Sequence, residues 1–182
     1  MRFLTAYLCL SQGEHIITGT ERMKHRPIKI LVDALRYLGA DIDYIGNEGY
    51  PPLRIRGREL EGGQLVIPGN VSSQYVSALL MIAPILTKGL DLKLTGEIVS
   101  RPYIDLTLHI MHEFGVAAEW TNFDTISVKP QQYTRRTYTI ENDWTASSYW
   151  YEILALQDDL DAEVVISGLK DGSRQGDAAV RY

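Results

Sequence analysis

Three stretches of this chain repeat one another: HIITGTERMKHRPIKI, LKLTGEIVSRPYIDL and VVISGLKDGSRQGD. Each reads as a strand ending in Thr-Gly or Ser-Gly, then a polar loop, then the start of a helix. Their glycines, Gly19, Gly96 and Gly168, stand about 77 and then about 72 residues apart. A period of that length holds several strands and helices, so the chain builds whole supersecondary units and is not a solenoid of short repeats.

Hydrophobic pattern and punctuation fill in one period. Ser72 to about Leu86 reads as a helix, with Pro84 tolerable only near its end, and Leu90 to Thr95 as a strand. Pro102 to Phe114 reads as a second helix, started by proline and stopped by Gly115. Val116 to Trp120 and Thr125 to Val128 then form a hairpin around Asn122, Phe123 and Asp124. The preceding period repeats this scheme, with a helix from Pro27 to Leu38 stopped by Gly39 and a hairpin pairing Asp41 to Ile45 with Leu53 to Arg56. Gly63 to Ile67 is the strand that enters the next unit. A third period begins at Tyr138, with a helix over Thr145 to Leu156 and a strand over Glu163 to Ser167. The fold class is therefore α/β (α+β), made of repeated β-α-β-α-β-β units.

The opening MRFLTAYLCLSQ has a basic residue before a short apolar run, as a secretory signal does. Only one arginine precedes the run, no small-residue cleavage site follows, and the run is too short to span a membrane. Phe3, Leu4, Tyr7, Leu8 and Leu10 instead predict the buried face of a helix closed by Gly13. A domain that begins abruptly on such a helix suggests a missing preceding segment.

Composition narrows the function. With 182 residues, 45% hydrophobic, the chain can bury a core, and its length suits one domain or one and a part. A charged fraction of 23% and a net charge of −5 do not fit a nucleic-acid binder or a disordered tail, although a local arginine cluster would still hold a small anion. The lone Cys9 permits no internal disulfide and suits a reducing compartment, hence the cytoplasm.

Two loci carry candidate chemistry. In VSSQYVSALLM, Ser72, Ser73 and Gln74 stand where a helix begins. A helix start presents free backbone N–H groups and the positive end of the peptide dipoles, which suits an anion. A serine there is also an ordinary N-cap, so both readings stand on pattern alone. In TGTERMKHRPI, Arg22, Lys24, His25 and Arg26 crowd one short loop, which is either a solvated surface or a place for a carboxylate or phosphate. Ser100, Arg101 and Tyr103 occupy the equivalent loop of the next unit, and Arg26 and Arg101, both before proline, are repeat equivalents with either a structural or a binding role. His109 and His112 lie three apart on one helix beside Glu113, but HIMHE matches no zinc pattern and no third ligand is evident.

GTERMKHRPI, GNVSSQYVSALLM, VSRPYIDLTL and NDWTASSYW, in this order and spacing, resemble the middle portion of the 5-enolpyruvylshikimate-3-phosphate synthases, the 3-phosphoshikimate 1-carboxyvinyltransferases. The likeness runs over essentially the whole chain, from MRFLTAYL to SRQGD. It implies the enolpyruvyl transferase inverse-barrel fold, truncated at both ends. It also implies an enzyme of the shikimate pathway of aromatic amino-acid biosynthesis. That enzyme moves the carboxyvinyl group of phosphoenolpyruvate to the 5-hydroxyl of shikimate 3-phosphate through a tetrahedral addition intermediate, without a cofactor or metal.

Residue by residue, the resemblance implies that Ser72, Ser73 and Ser100 hold the shikimate phosphate and that Gln74 lies between the two substrates. It puts Tyr103 beside the shikimate ring and Arg22 on phosphoenolpyruvate, and it names no catalytic acid or base in this stretch. Residues 1–138 are expected to be most of the shikimate-3-phosphate-binding domain and 139–182 the start of a second domain, with Asp143 near the crossing. Such a fragment is expected to lack turnover alone and to self-associate through the aromatic residues of its second part. The other reading is a non-catalytic anion-binding or interaction module that keeps the phosphate pocket only.

Overall fold

Leu90, Leu92 and Leu94 alternate with Asp91, Lys93 and Thr95, and in the computed structural model the three leucines are buried on one side of a strand. The structure describes residues 1–159 and 161–182. They form two compact units, Met1–Thr134 and Arg135–Tyr182.

The first unit begins with helix α1 (Arg2–Leu8), strand β1 (Gly13–Ile17), a single helical turn α2 (Glu21–Lys24) and helix α3 (Lys29–Tyr37). Strands β2 (Asp41–Tyr44) and β3 (Leu53–Gly57) follow as a hairpin. The next stretch repeats the pattern with β4 (Gly63–Pro68), α4 (Ser73–Ile82), β5 (Leu90–Thr95), α5 (Arg101–Glu113), β6 (Ala118–Trp120) and β7 (Thr125–Val128).

The sheets repeat as well. One has the order β1-β3-β2 and the other β4-β5-β7-β6, so β1, β3 and β2 correspond to β5, β7 and β6. All pairings are antiparallel except β4 with β5, which run parallel with Leu65 opposite Leu92 and Ile67 opposite Leu94. A parallel pair needs a crossover, and α4 supplies it. Because α4 packs against α1, α3 and α5, it is apolar nearly all round, with Tyr75, Val76, Ala78, Leu79, Leu80 and Ile82 buried. The helix gives way to one 3-10 turn, Ala83–Ile85, because Pro84 has no N–H to continue the ladder.

Two expectations need correction. The large apolar side of α1 is not its buried side: Phe3, Leu4 and Tyr7 are 46%, 54% and 62% exposed, while Thr5, Ala6 and Cys9 are fully buried. Small residues let the helix come close to the core, and Phe3 and Tyr7 line an open cleft described below. Gly13 does not cap this helix, which ends at Leu8; it opens β1 instead.

The second correction concerns Glu163 to Ser167, which is not a strand. A strand needs a neighbour for its ladder, and among the described residues none pairs with it. Instead the carbonyls of Ser167 and Gly168 accept hydrogen bonds from the side chain and backbone N–H of Asn142, at 2.9 and 3.0 Å. The second unit is otherwise helix α6 (Trp144–Ala155) and a 3-10 segment, Gly176–Arg181, that packs on it.

Candidate functional site

Parallel strands β4 and β5 end side by side, and each is followed by a short turn into a helix. The Gly69 N–H donates to the Thr95 carbonyl at 2.7 Å, and a Cβ on Gly69 would come within 2.9 Å of the Glu97 carbonyl. Turn 69–72 therefore abuts turn 96–100, and α4 and α5 start from the same edge of the sheet. Their flanks are joined by a hydrogen bond between Ser77 and Thr107 hydroxyls at 2.7 Å.

Ser72 is the N-cap of α4 and Ser100 that of α5, yet neither hydroxyl makes a capping hydrogen bond. The contrast with α6 is direct, because there the Asp143 carboxylate accepts from the Thr145 N–H at 2.9 Å. An N-cap serine normally spends its oxygen on the N2 or N3 amide. Here the hydroxyls of Ser72, Ser73 and Ser100 make no hydrogen bond among the described residues; the N–H groups of Tyr75 and Tyr103 donate to the Ser72 and Ser100 carbonyls at 2.9 and 3.2 Å and Pro102 has none, which leaves the Ser73, Gln74 and Arg101 amides without a helical acceptor. Two helix amino ends with uncommitted hydroxyls make an electropositive corner that suits a phosphate group.

Gln74 and Tyr103 project on the cleft side of these helices. Together with Ser73 they line one part of a cavity of about 930 Å³ whose remaining wall is mostly apolar, including Phe3, Tyr7, Met81 and Ile110. Tyr103 is 51% exposed, so its ring is free to lie against a ligand. The apolar extent of this cleft is invisible in the sequence, where Phe3 and Tyr7 read as core.

Arg22 does not line that cleft. It stands on α2, exposed and in no ion pair among the described residues, while its neighbour Lys24 bonds Glu21 at 2.7 Å and holds that carboxyl below its usual range. The segment comes near α4 because the Tyr75 hydroxyl, one residue after Gln74, donates to the Pro27 carbonyl at 2.6 Å. Of the two arginines before proline, Arg101 is structural: its guanidinium lies 4.0 Å from the centroid of the Trp120 ring and donates to the Phe123 carbonyl at 3.1 Å. Tyr75 and Thr107 carry no motif that marks them as site residues. Tyr75 carries one signal, a polar-tipped ring in an otherwise apolar helix run.

Cys9 is far from this chemistry in character. It is fully buried, and burial pushes its thiol up to about 12. A raised value means that the neutral thiol persists through the physiological range and beyond. Cys9 is accordingly expected to resist a thiol reagent at pH 8 in the folded chain and to react promptly in denaturant, as measured by absorbance with a chromogenic disulfide. Among the described residues no group of three or more His, Cys, Asp or Glu side chains is arranged to hold a metal ion, and no helix is long and apolar enough to cross a membrane.

One complete β-α-β-α-β-β unit, preceded by an α-β-α-β-β stretch with the same strand order, is the architecture of the enolpyruvyl transferase class of α/β proteins that the chain resembles. Among solved structures, EPSP synthase from Acinetobacter baumannii has a TM-score of 0.63 at 25% identity, covering 74% of this chain and 29% of its own. The enolpyruvyl transferase NikO from Streptomyces tendae gives 0.58 at 13% identity, a likeness of fold alone, over 82% of this chain and 35% of its own.

The chain belongs to the EPSP synthase (3-phosphoshikimate 1-carboxyvinyltransferase) family, whose model matches residues 1–181. A 3-phosphoshikimate 1-carboxyvinyltransferase of Bacteroides fragilis is 60% identical over 178 residues, which are 98% of this chain and 43% of that protein. One of Photobacterium profundum is 45% identical over 179 residues, covering 97% and 41%. The chain thus spans about two fifths of the length of these relatives.

Proposed function

We propose that this chain supplies the shikimate-3-phosphate side of a carboxyvinyl transferase. The whole reaction moves the carboxyvinyl group of phosphoenolpyruvate to the 5-hydroxyl of shikimate 3-phosphate and releases phosphate. The observation that carries the reading is the pair of adjoining helix starts whose serine hydroxyls are not used as caps. In this reading Ser72, Ser73 and Ser100 bind the phosphate of shikimate 3-phosphate, and Tyr103 lies beside its ring. Gln74, able to donate and to accept, sits between the two substrates, and Arg22 offers its planar fork to phosphoenolpyruvate. Unit Met1–Thr134 is the substrate-binding part, and Arg135–Tyr182 begins a second domain, in a cytoplasmic enzyme.

Charge that develops during transfer must be met by preorganised donors, and a proton must be delivered and removed. Hydroxyls, one amide and one guanidinium position substrates but do not shuttle protons near neutral pH. The chain by itself is therefore expected to bind shikimate 3-phosphate without releasing phosphate from a mixture of both substrates. A coupled phosphate assay checks this, and measurable turnover would overturn the division of labour. The alternative, an anion-binding module without substrate preference, predicts that inorganic phosphate binds as well as shikimate 3-phosphate.

Self-association is part of the proposal. On α6 and at its C-cap, Tyr149, Trp150, Ile153 and Leu156 are exposed, apolar residues of the kind that seek a partner. Light scattering is expected to show a mass above that of one chain at micromolar concentration; a monomer throughout would refute it.

A further inference from the structure

We infer that Tyr75 is a positioning residue, which fixes the Arg22 segment against the first turn of α4 and so sets the distance between Arg22 and the Ser72–Gln74 turn. The inference rests on the reading of Arg22 as the phosphoenolpyruvate ligand.

The hydrogen bonds that shape residues 20–26 are local. Met23 and Lys24 N–H groups donate to the Thr20 carbonyl at 2.9 and 3.1 Å, Arg26 N–H to the Met23 carbonyl at 3.2 Å, and a His25 ring nitrogen meets the Glu21 carbonyl at 2.7 Å. Such bonds hold the turn together but do not say where it stands. Its place is fixed at Pro27 and Ile28. The Ile28 N–H donates to Gly49 at 2.9 Å, within its own repeat, and the Pro27 carbonyl accepts from the Tyr75 hydroxyl at 2.6 Å, across to the other repeat.

Tyr75 is suited to this task. Its residue is 6% exposed, and the Arg2 guanidinium lies 5.7 Å from the centroid of its ring. A buried ring held in this way aims the hydroxyl with little freedom. Tyr75 also follows Gln74 directly, so displacement of one end of the bond is felt at the other as a change between Arg22 and the serine turn.

Tyr75→Phe removes the hydroxyl and keeps the ring, so the fold survives. Amide hydrogen exchange in this chain is expected to quicken about five- to tenfold at Met23, Lys24, Arg26 and Ile28, the loss of one hydrogen bond, while α4 amides from Ser77 to Ile82 stay as they are. Affinity for phosphoenolpyruvate, measured by calorimetry, is expected to fall by a similar factor, and affinity for shikimate 3-phosphate to stay within twofold. Unchanged exchange over 23–28 overturns the inference, as does a quickening that spreads equally through α4 or an equal loss for both ligands. If the unaltered chain binds shikimate 3-phosphate but not phosphoenolpyruvate, while exchange over 23–28 still quickens in the variant, Arg22 loses its assigned ligand and the anchoring stands. If it binds neither ligand, the proposed function falls, and the exchange result still decides the anchoring.

Discussion

Replacing Ser72 and Ser73 together by alanine is expected to weaken shikimate 3-phosphate binding by a hundredfold or more while leaving the stability of the chain nearly unchanged. Hydrogen bonds to a charged group contribute about 1.5–3 kcal/mol each, so two of them correspond to roughly 10²- to 10⁴-fold in affinity. The stability half of the expectation follows from the missing cap. A capping serine costs about 1 kcal/mol when removed, but Ser72 makes no side-chain cap bond, so little is lost. The two halves separate the binding role from the structural one. Titration calorimetry and a urea melt on the same variant measure both. A variant that loses stability and keeps affinity would return these serines to ordinary capping.

A large loss of stability is expected at the junction between the repeats, with Gly62→Ala. Gly62 has φ +80, and a Cβ there would lie 2.0 Å from the Gly89 carbonyl oxygen and 2.8 Å from Leu86 Cβ. That carbonyl already accepts the Gly63 N–H at 2.9 Å, and Lys88 N–H donates to Glu61 at 2.7 Å, so neither strand end can withdraw without breaking the entry into β4. Left-handed strain of about 1–2 kcal/mol and an overpacking cost of about 1–3 kcal/mol add to roughly 3 kcal/mol. Gly63→Ala is the control: its φ is +101, but nothing lies within 4 Å of an added Cβ, so only the strain term applies. Urea midpoints of the two variants should therefore differ clearly, and equal midpoints would count against the steric account.

Much of the scaffold was legible because punctuation marks it. Leu90 to Thr95 and Thr125 to Val128 have the predicted bounds, set by alternation and by flanking glycine, aspartate or proline. The repeat visible in the Thr-Gly motifs returns as two sheets with the same order of strands. What failed to show was anything that depends on a neighbour. Glu163 to Ser167 has a strand's pattern and no ladder among the described residues, and Phe3 and Tyr7 have a core's composition and line a cleft.

At the candidate site, Ser72, Ser73 and Gln74 were legible as types suited to a helix start and Ser100 by its equivalent loop, whereas Tyr103 is marked by the family resemblance alone. Their adjacency was not, because it depends on β4 and β5 being parallel neighbours. Arg101 and Arg26 looked alike in sequence, and only the Trp120 ring and Phe123 carbonyl identify Arg101 as structural. Tyr75 is not legible in the same way, since a hydroxyl on a buried helix gives no sign of a carbonyl 48 residues away.

The central claim is that the amino ends of α4 and α5 recognise a phosphate carried on a shikimate ring. Calorimetric titration of the unaltered chain with shikimate 3-phosphate, with shikimate and inorganic phosphate as separate controls, tests it most directly. The account predicts saturable one-site binding of shikimate 3-phosphate, at least about a hundredfold tighter than either control alone. Equal affinity for shikimate 3-phosphate and shikimate, or no binding to a chain shown to be folded, would contradict it.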